Sequence, residues 1–541
     1  MENWFFHLLW QITLKPIIFI IKLWFRLLTY TGLVYPMAVY LGFWLLVTMG
    51  VFVERVENRV AIINATAFHI FIIILTLSYI PMIITLVRNI TKTVKKIRDK
   101  HFPKDESMKT RVDKRLKSEI SHGFVFGSQR GKPVIKPETT DGHILVVGGV
   151  GSGKSSCIAI PTLRAWGSRV FAIDIKGELY KRTQANRPNI KVFNPLDTSS
   201  YGYDPYVFLK QSLNPVQEAR AIAQTLIQLP PNIQNPFWIK NAQNILTGAI
   251  LHYYHEGLSF IDTLKQIQGN SPQDIIKTVS QSNSENARLC VGNFVGMADK
   301  TLSEIYAELG TEIVTLVTDY DIVSALSRER VLSPADLEYG EDIYINIPEY
   351  LLRQWHTLLM LIVNQFLDFF ERRDENNDTP ILFLLDEFPR IGKIPAITDG
   401  LATLRSKKIS ICLIVQSLAQ LDEIYGQNQR KIILDTCTYK AIMNAKDADT
   451  QEYFSRMAGT YDKTEVTDSE SGILGVNTSV SRREMEKRII KPHEFGNMAD
   501  IVLFTPFDVT LTMPNPHNKK PDKITAGFCR VDKTPYYSEE K

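Results

Sequence analysis

Two uncharged apolar runs mark the start of the chain. Residues 31–53 carry no charged side chain, and residues 65–87 carry none beyond what His69 can take up. Each exceeds the roughly 20 residues a helix needs to cross the hydrocarbon of a bilayer. In lipid the backbone polar groups have to be satisfied within the segment, so both runs predict transmembrane helices. Lys15, Lys22 and Arg26 precede the first run. Arg88, Lys92, Lys95, Lys96, Arg98 and Lys100 follow the second, and between the runs Glu54 and Glu57 balance Arg55 and Arg59. This charge pattern predicts both ends on the cytoplasmic side and a very short external loop at 54–64. Lys15-Pro16 breaks the earlier apolar stretch, which argues against a cleavable signal peptide. Residues 1–30 read as a cytoplasmic or interfacial segment and 88–135 as a basic connector.

Beyond the connector the pattern changes. Short apolar runs at 143–147, 169–173, 190–193, 342–347, 381–385, 409–415 and 438–443 predict strands of a largely parallel sheet covered on both faces. Between about 210 and 325 these runs lapse and helical periodicity takes over, at 216–228, 239–255, 260–268 and 299–316. The prediction is an α/β domain at 136–209 and 326–541, interrupted by an inserted all-α domain at 210–325. Residues 461–481 are polar and turn-rich and predict a surface loop.

Composition narrows the classes. With 45% hydrophobic residues in 541, the chain can bury more than one sizeable core. The 62 Lys and Arg nearly balance the 58 Asp and Glu, so any nucleic-acid surface has to be local. Five cysteines lie far apart without a CxxC pair, which argues against a zinc site or a disulfide framework.

The chemistry lies at the ends of the predicted strands. After His143–Val147 come Gly148, Gly149, Val150, Gly151, Ser152, Gly153, Lys154, Ser155 and Ser156, and then helical residues. This is GxxxxGK[ST] in its strand–loop–helix setting, a phosphate cradle. Its glycines let backbone N–H groups turn inward, and the helix N-terminus adds positive potential. Lys154 is expected at the β and γ phosphates and Ser155 at Mg²⁺. A dinucleotide loop is the rival, because Asp174 follows at a strand end. It fails because Lys154 stands where GxGxxG needs its third glycine. Downstream, Ile381–Leu385 runs into Asp386-Glu387, placing two carboxylates at a strand's C-terminal end. Asp386 is expected to support Mg²⁺ and Glu387 to orient and deprotonate the attacking water. A third run, Ile409–Val415, ends in Gln416, a candidate γ-phosphate sensor. Arg390 and Arg405 are candidate arginine fingers acting in trans. No guanine-reading motif stands out, so ATP is the expected nucleotide.

Several blocks together resemble the coupling proteins of type IV secretion and conjugation systems, of the TraG/TraD type. They are GSGKSSCIAIPTL at 151–163, DIKGELY at 174–180, VFNPLD at 192–197, NPFWIKNAQNILTGAILH at 235–252, LLDEFPRIGKIP at 384–395, IVQSLAQLDEIYG at 414–426 and KPHEFGNM at 491–498. Ile175 stands where that family usually has proline, and the external loop is shorter than in many members. The resemblance implies a RecA-like P-loop ATPase with an inserted all-α domain behind two transmembrane helices. It also implies a homo-hexamer at the bacterial inner membrane that passes relaxase-bound single-stranded DNA, or protein effectors, to the secretion channel. The same resemblance leaves a second reading open, an effector-protein receptor for which DNA is incidental. A pump for duplex DNA in chromosome segregation shares the motor but usually has more spans and a winged-helix tail, neither of which is read here.

Overall fold

The short apolar runs between residues 143 and 443 become the parallel side of a twelve-stranded sheet. In the computed structural model the described residues are 109–116, 122–230, 233–471, 477–513 and 522–538. The runs 31–53 and 65–87, the segment 1–30 and the start of the basic connector lie outside them. Among the described residues no helix is long and apolar enough to cross a membrane.

In chain order the strands are β1 (Lys109–Thr110), β2 (Gly123–Gln129), β3 (Lys132–Pro137), β4 (Ile144–Val147), β5 (Arg169–Asp174), β6 (Ile190–Phe193), β7 (Asp342–Asn346), β8 (Ile381–Leu385), β9 (Ile409–Val415), β10 (Tyr439–Ile442), β11 (Asp500–Met513) and β12 (Asp522–Asp532). Across the sheet they run β3-β2-β12-β11-β10-β4-β9-β8-β5-β7-β6, with β1 added beside β11. From β10 to β6 every pairing is parallel. From β10 outward through β11, β12, β2 and β3 every pairing is antiparallel. Strands β4, β8 and β9 are buried along their whole length, as expected for strands with both faces covered.

The last part of the connector is therefore not a linker. Residues 123–137 form the β2–β3 hairpin, and Thr162, on the helix that follows the glycine loop, accepts the Val125 N–H at 3.0 Å. The segment 461–481, expected as a surface loop, is instead most of a second hairpin, Thr460–Ser471 paired with Asn477–Arg488. Its polar, turn-rich sequence reads as loop, but its threonines and valines suit extended backbone.

One face of the sheet is covered by the helix His356–Glu371. Its Phe366 ring lies 4.7 Å from Phe171 on β5, and Phe171 stacks on Phe383 of β8 at 4.9 Å. Between Val207 and Leu326 the regular elements are all helices. Their starts are written locally: the side chains of Ser259, Ser271, Ser284 and Asp319 each accept a backbone N–H of the following turn. The long helix Phe237–His255 is the centre of this layer, with Ile245, Leu246, Ala249 and Ile250 fully buried. An ion pair of 2.6 Å between Glu218 and Arg372 ties the layer to the end of the helix His356–Glu371. All described residues belong to one compact unit, Glu106–Lys541.

Candidate nucleotide site

Strand register decides which loops meet. Val147 of β4 pairs with Val415 of β9, Leu385 of β8 pairs with Leu413 of β9, and Ile173 of β5 pairs with Leu385. The residues that follow, at Gly148, Gln416, Asp386 and the 174–178 segment, therefore emerge along one C-terminal edge. Ligands of open parallel sheets bind at such an edge.

The glycine loop is fixed through its main chain. Gly148 N–H donates to the Val415 carbonyl at 3.1 Å, and Gly149 N–H donates to the Asn444 carbonyl at 2.6 Å. Gly151 and Gly153 have φ of 72° and 94°, values that favour glycine. A methyl group on Gly148 would stand 2.5 Å from the Ser152 hydroxyl, so this position has no room for a side chain. Val150 points outward and is exposed. Lys154 is buried, and its ammonium donates to the Gly148 carbonyl at 2.8 Å. Burial lowers its pKa and nearby Lys176 pushes the same way, while Glu387 and Asp386 oppose them. Ser155 and Ser156 follow on the first turn of a helix that is wide over Lys154–Ala159 and regular over Ile160–Ala165.

The two carboxylates differ. Asp386 is buried, and desolvation, reinforced by Glu387, raises its pKa to about 6. One of its oxygens accepts the Glu387 N–H at 3.0 Å. Glu387 has left-handed backbone, φ 51° and ψ 42°, which costs a residue with a Cβ on the order of 1–2 kcal/mol. Its carboxylate is held from two sides. Gln416 Nε2 donates to one oxygen at 2.8 Å, and Lys176 Nζ lies 3.5 Å from the other.

A cleft of about 470 Å³ opens over these groups, lined by residues 150–156 together with Lys176, Glu178, Glu349, Glu387, Arg390 and Gln416. Arg390 thus reaches the cleft of its own chain, where it is ion-paired with Glu349. Arg405 does not. The helix Pro395–Thr403 ends before it, and its charge acts on His143 and Tyr439 at the opposite edge of the sheet. Three lining residues, Lys176, Glu178 and Glu349, were not among those singled out as site residues from sequence. The DIKGELY block held the signal for the first two, because its strand ends beside β8. Nothing local in the sequence marks Glu349.

These features fit a magnesium-bound nucleotide. The loop is a cradle that side chains would fill, and the buried Ser152 hydroxyl has no protein partner. A hydroxyl at Ser155 and a buried carboxylate at Asp386 are hard oxygen donors of the kind Mg²⁺ takes.

Residues 91–506 match the family described as type IV secretory system conjugative DNA transfer. The chain is 27% identical over 359 residues to the protein VirD4 of Agrobacterium fabrum, covering 63% of this chain and 53% of that protein. It is 26% identical over 379 residues to the conjugal transfer protein TraG of Rhizobium radiobacter, covering 66% of this chain and 58% of the relative. The match therefore spans about half the length of these curated relatives. Among solved structures, the bacterial conjugative coupling protein TrwBdeltaN70 superposes with a TM-score of 0.57 at 15% identity, covering 78% of this chain and 92% of that one. The plasmid coupling protein TrwB in complex with ADP and Mg²⁺ gives 0.58 at 14% identity, covering 79% and 95%. At such identities the likeness is one of fold, an α/β P-loop fold with a mixed sheet and helices. With more than three quarters of its length inside the family match, this chain belongs to the type IV secretory system conjugative DNA transfer family.

Proposed function

We propose that this chain is a coupling ATPase of a type IV secretion system, which uses ATP hydrolysis to recruit relaxase-bound single-stranded DNA, with or without protein cargo, and pass it to the secretion channel. The observation that carries the reading is the convergence of Lys154, Glu387 and Gln416 around one cleft in a chain of the conjugative DNA transfer family. The bound ADP and Mg²⁺ of the TrwB complex support the same cofactors here.

Each residue has a role in this reading. Backbone N–H groups of residues 148–153 and the Lys154 ammonium grip the β and γ phosphates. Ser155 and Asp386 hold Mg²⁺, which when bound polarises the terminal phosphate. Glu387 orients the attacking water and takes its proton, and Gln416, bonded to Glu387, senses the γ phosphate. Arg390, and Arg405 from a neighbouring copy, neutralise developing charge in a homo-hexamer. Residues 31–53 and 65–87 anchor the assembly in the inner membrane, and 210–325 act as the inserted all-α domain.

The test is ATP hydrolysis by the full chain in detergent or nanodiscs, with and without single-stranded DNA. Turnover stimulated by DNA and reduced about 100-fold or more in Lys154→Ala is the expected result. Turnover indifferent to DNA at low salt, where phosphate contacts are strongest, would defeat the DNA-translocation reading.

A further inference from the structure

The block DIKGELY at 174–180 has no part in the roles above. Its geometry shows what it builds. Asp174, the last residue of β5, is fully buried and accepts the Tyr180 N–H at 2.8 Å. Burial raises its pKa, and the N–H groups of Tyr180, Leu179, Gly177 and Glu178, which face it, pull the other way. The carboxylate therefore ties the next turn back to the strand end through the Tyr180 N–H, while its other oxygen has no protein hydrogen bond. Gly177 completes the turn at φ +66°, close against Asn346 at the end of the neighbouring strand β7. The product of this arrangement is a fixed main chain at Lys176, two residues beyond the strand and beside the end of β8.

From that position Lys176 reaches Glu387. Its ammonium lies 3.5 Å from Glu387 Oε1, while Gln416 holds Oε2 at 2.8 Å. Lys176 is half-exposed and lines the same cleft as Lys154, so it stands at the site without being part of the glycine loop. Glu387 sits on a left-handed turn and lines the cleft, where side chains meet both oxygens of its carboxylate. A carboxylate held on one oxygen can rotate about that bond, whereas one held on both oxygens presents a single orientation to a water molecule.

We propose that Lys176 is a positioning residue for Glu387: with Gln416 it fixes both carboxylate oxygens, so that the general base meets the attacking water in one orientation. This role rests on the ATPase reading above and adds to it the function of the 174–180 block. It differs from that of Lys154, which grips phosphate. Misplacement of a reacting group by about 1 Å can cost on the order of 100-fold in rate. Loss of Lys176 should therefore appear in kcat and leave KM for ATP nearly unchanged.

The experiment is steady-state ATP hydrolysis by the full chain in nanodiscs with single-stranded DNA, for wild type, Lys154→Ala, Lys176→Met, Lys176→Arg, Glu387→Gln and the double variant Lys176→Met/Glu387→Gln. Thermal unfolding confirms that each variant is folded. Expected are a fall in kcat of roughly 10-fold to 100-fold in Lys176→Met with KM within about threefold of wild type. Lys176→Arg should recover most of the loss, because it restores a cation at the same place. In the Glu387→Gln background, removing Lys176 should cost nothing further, since the carboxylate it aims is already gone. A rise in KM with kcat unchanged would overturn the proposal and make Lys176 a phosphate-binding lysine. A loss that Arg does not restore, or that adds in full to Glu387→Gln, would overturn it as well. Wild-type turnover lost in Lys154→Ala but indifferent to Lys176→Met would sink this role alone. No turnover in wild type would sink the ATPase reading and this role with it.

Discussion

The two edges of the parallel sheet handle charge in opposite ways. At the C-terminal edge Lys154, Lys176 and Glu387 line a cleft, and Asp386, buried beside Glu387, has its pKa raised to about 6 by desolvation. At the N-terminal edge charge is buried just as deeply, but most of it is satisfied. Arg187 donates to both oxygens of Asp342, at 2.6 and 2.9 Å, and to the carbonyls of Leu163, Trp166 and Ser168. Lys440 donates to the Cys437 carbonyl at 2.6 Å, and Arg373 pairs with Glu338 at 2.7 Å. The fully buried Lys136 has a hydrogen bond of 3.1 Å to Ser410, and its ammonium lies 5.9 Å from the centre of the Trp166 ring. At one edge most of the buried charges are neutralised by protein groups. The other keeps charges close together that protein groups only partly neutralise, which is what a site for a charged ligand requires.

Breaking a paired charge at the N-terminal edge and neutralising Asp386 at the C-terminal edge should therefore differ in sign. The largest effect is expected for Arg187→Ala, which leaves Asp342 buried without its cation. Breaking a buried pair on one side costs about 3–5 kcal/mol, measured as a loss of unfolding free energy in denaturant. A loss below about 1 kcal/mol would erase the distinction between the edges. At the opposite edge, Asp386→Asn should stabilise the nucleotide-free protein. The Asp386 carboxyl has its ordinary pKa of 3.8 raised to about 6, so the folded state holds its proton more tightly than the unfolded state. The associated stability is full below pH 4, declines between 4 and 6, and is gone above 6. The asparagine variant should therefore gain about 2–3 kcal/mol at pH 7.5 and lose that advantage below pH 4, as read by thermal melts across pH. Its ATP turnover should fall in the same preparation.

The smallest of the three effects tests a less well satisfied charge of the N-terminal edge, Lys136. Burial lowers the Lys136 ammonium from 10.5 to about 8. The unfolded state then binds more protons between pH 8 and 10.5, so wild-type stability should rise with pH across that window. Lys136→Met should flatten the rise and add about 1–2 kcal/mol at pH 7, since the lost Ser410 hydrogen bond offsets part of the relief. A variant less stable than wild type at pH 7 would show that Lys136 is as well satisfied as Arg187.

Much of the C-terminal edge was legible in the sequence because its signals are local. A strand read as an unbroken apolar run ends where its polar residues begin, and that alone fixed Gly148, Asp386 and Gln416 to within a residue of their observed strand ends. The antiparallel half was not legible. Pro506 and a register shift between Phe504 and Val509 interrupt β11, so its apolar pattern does not read as one strand. Glycines and prolines at both ends of β2 and β3 made that hairpin look like connector. The Thr460–Arg488 hairpin has no apolar alternation to announce it. The contact between Lys176 and Glu387 depends on β5 lying beside β8, which no local pattern encodes.

Glu387 has one more consequence, for anyone who would engineer this protein. Its left-handed backbone suits glycine or asparagine better than glutamate. A redesign scored on folding free energy alone would change this position early, and would gain stability by removing the carboxylate that Gln416 and Lys176 hold. A position where the fold's preference and the residue present disagree is thus one a stabilised variant should leave untouched.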